Sequence, residues 1–91
     1  MITLDGTSET EKIAIEVERE VRRAMQLHRG INSLHEGKAV IEEQFDEFWE
    51  QVKVNPKKLS IDQQQIRLAE MRNELIQIAA MAIRTIVDCK L

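Results

Sequence analysis

Three times along this chain a serine is followed three residues later by a glutamate or glutamine, just ahead of a helical run: Ser8-x-x-Glu11, Ser33-x-x-Glu36 and Ser60-x-x-Gln63. In this capping-box pattern the serine oxygen and the later side chain accept from backbone N–H groups that a helix start leaves without partners. Three such starts predict three helices. Their ends follow from Gly30, placed to take the left-handed conformation behind the first helix, and from Asn55-Pro56, which cannot continue the second. The predicted segments are 9–29, 34–54 and 60–89, with residues 1–7 a mobile leader and Lys53 to Leu59 a turn.

Three helices in 91 residues make one domain spanning 1–91. A domain of this size buries about 60 to 65% of the surface of its unfolded chain, so its core is thin. A composition of 43% hydrophobic and 32% charged residues, with 3 Gly and 1 Pro, excludes a disordered chain, and 3% aromatics with no Tyr leaves few strand formers. The expected fold is therefore all-α, an antiparallel bundle of three helices whose core is completed by oligomerisation.

Periodicity sorts the helix faces. Ile13, Val17, Val21, Ala24 and His28 recur at steps of three or four on the first helix. Its other face is charge-paired: Glu16 reaches Arg19, Glu18 reaches Arg22 and Glu20 reaches Arg23. On the third helix Leu68, Met71, Leu75, Ile78 and Ala82 form a seam, and Ile76, Ala79, Ala80, Met81, Ile83, Ile86 and Val87 leave little polar surface behind it. Such a helix is buried on several sides.

The second helix is different. At about 100° per residue Glu36, Glu43, Glu47 and Glu50 fall within roughly 60° of one another, opposite the apolar Ile41, Phe45, Phe48 and Val52. Glu43 and Glu47 meet no base at their three- and four-residue spacings, and Glu74 on the third helix is similarly placed. Like charges at that spacing destabilise a helix by about 0.2 to 0.5 kcal/mol per pair, a cost that a cation reverses. Two helices side by side would gather Glu43, Glu47 and Glu74 around one centre, with Glu70 or Gln77 nearby. Hard cations such as Mg²⁺ take oxygen ligands of this kind and leave room for water and phosphate.

A net charge of -3 with interleaved bases carries no footprint for a nucleic-acid backbone. The single Cys89, the lack of a secretory pattern and the lack of an apolar run of about 18 residues predict a cytoplasmic protein with no membrane partner. No nucleophile motif, Gly-rich phosphate loop or Cys/His zinc spacing is present.

The run from Ser33 to Lys53, which includes His35-Glu36-Gly37, Glu43-Gln44-x-x-Glu47 and Trp49, resembles the metal-binding helix of MazG-like proteins of the all-α NTP pyrophosphohydrolase superfamily. The run Glu74-Leu75-Ile76-Gln77-Ile78-Ala79-Ala80-Met81-Ala82-Ile83-Arg84 resembles the facing helix of its short phage-type and bacterial members. The family pattern is Glu-Glu-x-x-Glu followed by Glu-x-x-Asp, whereas here Gln44 and Gln77 replace two of the four carboxylates. An amide oxygen coordinates a hard cation without charge, so metal binding should be weaker than in the full pattern.

The resemblance implies hydrolysis of a nucleoside triphosphate to monophosphate and pyrophosphate with Mg²⁺, or Mn²⁺, as cofactor. It implies Glu43, Glu47 and Glu74 as catalytic metal ligands, Gln77 and Gln44 as weak ligands or orienters, and Glu70 or Glu50 positioning the water. Lys38, Lys53, Arg67 or Arg84 would neutralise phosphate charge. It further implies a homodimer or homotetramer. The alternative is a helical dimerisation or nucleotide-sensing module that has lost catalysis.

Helix physics alone accounts for other residues. Glu36 is a capping residue and Glu50 solvated surface, His28 completes an apolar face, and Arg84, in an apolar stretch, should pair with Asp88 four residues on. Trp49 packs at a helix edge, Met71 and Met81 fill the core, and Cys89 is inert.

Overall fold

The computed structural model describes residues 8–91, and the leader expected over 1–7 lies outside them. Each capping serine opens a helix: α1 is Glu9–Leu27, α2 is Leu34–Val52 and α3 is Ile61–Asp88. No strand occurs among the described residues. Ser8, Ser33 and Ser60 each accept from the N–H three residues on, at 3.1 Å. The reciprocal bond forms at Ser60, whose N–H donates to Gln63 Oε1 at 2.9 Å. At Ser33 the later side chain is used differently, since Glu36 accepts from Asn32 N–H at 2.8 Å and from the Arg29 guanidinium at 2.6 Å.

Each helix ends one or two residues short of expectation. α1 stops at Leu27, and its exposed cap His28 is extended (φ -131°, ψ 153°), with its N–H donating to Ala24 O at 2.9 Å. Gly30 does not take the left-handed conformation, because the chain has already left the helix through His28. Gly30 instead lies against Asp88, where a Cβ would sit 3.4 Å from Oδ2. Ile31 N–H donates to the same carboxylate at 2.8 Å, tying the α1–α2 connection to the end of α3. At the far end, Arg67 of α3 donates to Val52 O at 3.5 Å and to Gln51 O at 2.8 Å, the latter also accepting from Val54 N–H at 3.3 Å, and so closes the end of α2. A 3-10 turn at Pro56–Lys58 then leads into α3, with Asn55 Oδ1 accepting from Lys57 N–H.

α3 is the spine. The start of α2 meets its end (Gly37 against Thr85), and the end of α2 meets its start (Gln51 on Glu70), so the two run antiparallel. α1 runs parallel to α3, with Glu16 on Arg72 early and Leu27 beside Arg84 late. Val17, Val21 and Ala80, with Ile76 and Ala79 packed on them, form the core between α1 and α3.

The core is as thin as the length implies. The radius of gyration is 15.6 Å, against about 12 Å for a compact chain of this length. Leu68, Leu75 and Ile86 remain about half exposed. They align with the half-buried Ala82 within roughly 40° along α3, leaving an apolar stripe that α1 and α2 do not cover. The sequence pattern that reads as a helix buried on several sides is, in the single chain, a helix covered on two flanks. Among the described residues no helix is long and apolar enough to cross a membrane.

Candidate functional site

The spacing of α2 and α3 is set where Gly37 meets Thr85. A Cβ at Gly37 would lie 2.7 Å from Thr85 Cγ2 and 2.8 Å from Oγ1, closer than real Cβ contacts allow. With the helices this close, the antiparallel register places Glu47 beside Glu74, and Gln51 Nε2 donates to Glu70 Oε2 at 2.9 Å. No base pairs with Glu43, Glu47, Glu70 or Glu74 among the described residues. Arg67, which sequence spacing offers to Glu70, reaches the α2 carbonyls instead.

Burial is the main cause that pushes the Glu74 carboxyl above its usual range. The adjoining Glu47 carboxyl adds to it, by hydrogen bonding and by charge, and Glu70 contributes by charge. Two oxygens at this junction have no donor: Glu74 Oε2, and Oε1 of Gln44 on the α3-facing side of α2. Buried oxygens without donors are rare in folded proteins and ask for an explanation. A shared proton answers part of the repulsion between Glu47 and Glu74, and a hard cation would answer all of it.

The donor chemistry, all oxygen, fits such a cation, but the arrangement remains open. No group of three or more His, Cys, Asp or Glu among the described residues is gathered tightly enough to hold a metal ion. Glu43, one turn before Glu47, is exposed and is not among the groups that act on the Glu74 carboxyl. Gln77 faces α1, where its amide helps lower the Glu20 titration. The oxygens brought together are thus those of Glu47 and Glu74, with Gln44 and Glu70 alongside.

Three of the four candidate phosphate-binding bases have other partners. Lys38 pairs with Glu42 at 3.1 Å, Lys53 with Glu50 at 2.8 Å, and Arg67 caps α2. Glu50 is therefore paired surface rather than part of the acidic junction. Arg84 is 7% exposed and does not pair with Asp88, whose carboxylate is taken by Ile31 N–H; its Nη2 donates instead to Arg29 O at 3.2 Å.

Sequence spacing missed two ion pairs. Glu16 is held by Arg72 of α3, at 2.8 and 2.5 Å, rather than by Arg19, and Glu36 is held by Arg29 from the preceding loop. Both join elements far apart on a helical wheel, so only the tertiary arrangement reveals them. No known family, curated protein or solved structure matches this chain.

Proposed function

We propose that the chain is a Mg²⁺-dependent pyrophosphohydrolase of nucleoside triphosphates, similar to the MazG-like proteins. One observation carries the reading. Glu47 and Glu74, with no base to balance them, meet between α2 and α3, where Glu74 Oε2 and, one turn before Glu47, Gln44 Oε1 lack donors. In this reading Glu47 and Glu74 hold the metal, Gln44 contributes a neutral oxygen, Glu43 turns in when the metal binds, and Glu70, steadied by Gln51, orients the attacking water. Bound there, Mg²⁺ supplies Lewis acidity to a phosphate chain and acidifies water. Pyrophosphate release from a panel of NTPs and dNTPs with Mg²⁺ or Mn²⁺ tests it. Turnover absent in Glu47→Gln is the expected outcome, and no turnover above that variant for any substrate would overturn it.

A second reading, a non-catalytic helical module or nucleotide sensor, is favoured by Gln77, which serves α1 through Glu20 rather than the acidic junction. Under it, millimolar Mg²⁺ leaves the melting temperature unchanged. A ligand that binds only the folded state must raise it, and Glu74→Gln should abolish the rise.

The apolar stripe of Leu68, Leu75 and Ile86, in a chain more open than its length requires, supports a homodimer or a homotetramer. Leu68→Glu should convert the assembly to monomers, read as molar mass by light scattering, while helicity persists. An unchanged mass would place the interface elsewhere.

A further inference from the structure

A second feature stands ten residues, about 15 Å, along α3 from Glu74. Between the α1–α2 connection and the C-terminal half of α3 lies a cavity of about 470 Å³, walled by the apolar Leu27, Ile31, Val40 and Met81 and lined by Arg84, Arg29 and the Glu36 carboxylate that Arg29 holds. Arg84 is more than nine-tenths buried, its Nε has no acceptor, and its protein acceptor is the neutral Arg29 carbonyl. No carboxylate among the described residues lies within ion-pair distance of it. A buried guanidinium in that state is uncompensated, and buried charges are ordinarily paired.

The two carboxylates that act on Arg84 through space are already committed. Glu36 is held by Arg29 at 2.6 Å and by Asn32 N–H at 2.8 Å, and Glu20 by Arg23 at 2.5 Å. The cavity therefore offers one cation without an ion-pair partner, Arg84, beside the Arg29–Glu36 pair, and carbon on its walls. We propose that it is a binding site for a small organic oxyanion, a phosphate or carboxylate on an apolar body, with Arg84 receiving the anionic group and Leu27, Ile31, Val40 and Met81 receiving the body. Guanidinium suits this role because its planar donors match both oxyanions. The site lies apart from the acidic junction and does not depend on it.

The test follows the arginine Nε–H signals by NMR at constant ionic strength, with Arg84 assigned by loss of its signal in Arg84→Lys. Phenyl phosphate and benzoate are titrated, with inorganic phosphate as the probe that lacks a body. A saturable shift of the Arg84 signal is expected with the aryl anions, at lower concentration than with phosphate alone. Which aryl anion saturates first identifies the preferred head group. Glu36→Gln, which removes the competing carboxylate while keeping an acceptor for Asn32, should tighten binding several-fold, and Glu74→Gln should leave it unchanged. An Arg84 signal that does not move, or moves no more than the exposed arginines do, would overturn the proposal. So would an affinity indifferent to Glu36→Gln.

Discussion

Substituting Gly37 by Ala is the sharpest probe of the α2–α3 contact that brings Glu47 to Glu74. In an isolated helix the change is favourable by about 0.8 to 1.0 kcal/mol, because Gly is the poorer helix former. Here the added methyl meets Thr85 Cγ2 at 2.7 Å and Oγ1 at 2.8 Å. Thr85 cannot swing aside, since it is buried, β-branched and donates from Oγ1 to Met81 O at 2.8 Å. Overpacking of this kind costs about 1 to 3 kcal/mol. The net effect expected is a loss of about 0 to 2 kcal/mol.

In a Thr85→Ala background the methyl meets only Cβ, at 3.3 Å, a contact relieved by a shift of a few tenths of an ångström. The helix preference then prevails, and the same Gly37→Ala change should stabilise by up to about 1 kcal/mol. Urea unfolding of the four proteins, followed by far-UV circular dichroism at one fixed protein concentration, gives the coupling as the difference between the two effects. It should be about 1 to 3 kcal/mol. Equal effects of Gly37→Ala in both backgrounds would refute the claim that Thr85 sets the helix spacing.

Titration gives a second check. Because the folded chain holds the Glu74 proton more tightly than the unfolded chain does, stability should fall as pH rises from the usual carboxylate range to the raised Glu74 value. Glu74→Gln should flatten that slope, as measured by urea midpoints across pH. Glu16, Glu20 and Glu36 titrate low, chiefly through hydrogen bonds from Arg72, Arg23 and Arg29 respectively, so their contribution is present above the usual range and is lost as pH falls through their lowered values. Glu36→Gln should therefore reduce acid sensitivity at the low end without changing the Glu74 window. Arg67→Ala removes a charge-assisted hydrogen bond to the Gln51 carbonyl, which keeps Val54 N–H as a donor, and should cost about 1.5 kcal/mol, seen as a lower urea midpoint at unchanged slope.

Helix number and helix starts were legible because capping is local: a serine and the backbone three residues on lie within one turn, and no tertiary contact is needed to place them. The charge-paired face of α1 was legible for the same reason, with Glu18–Arg22 and Glu20–Arg23 formed at helical spacing. What failed was decided between elements. Gly30 reads as a helix stop, yet it serves the approach of the loop to Asp88. Arg84 reads as the partner of Asp88, but that carboxylate is nearer to the N–H of Ile31, 57 residues away in sequence. The apolar half of α3 reads as buried, although α1 and α2 cover only its flanks.

The two amides that interrupt the carboxylate pattern are physically unlike each other. Gln44 buries an oxygen with no donor, an arrangement that is costly unless something electropositive approaches it. Gln77 lies toward α1, and its amide helps hold the Glu20 carboxylate in its charged form against the cost of its partial burial. A carboxylate at 77 would face Glu20 and weaken the docking of α1, so the amide there is explained by the fold alone. The oxygen of Gln44 has no such explanation. Together with the unpaired Glu74 oxygen, it makes the junction of α2 and α3 a place where the chain stores unanswered negative potential, while Arg84, ten residues on along the same helix, is a buried cation without an ion-pair partner. Stability alone would favour cancelling both, because buried, incompletely paired polar groups cost more than apolar ones of the same shape. Their persistence at two separate points on α3 is what makes ligands of opposite charge the economical reading of each.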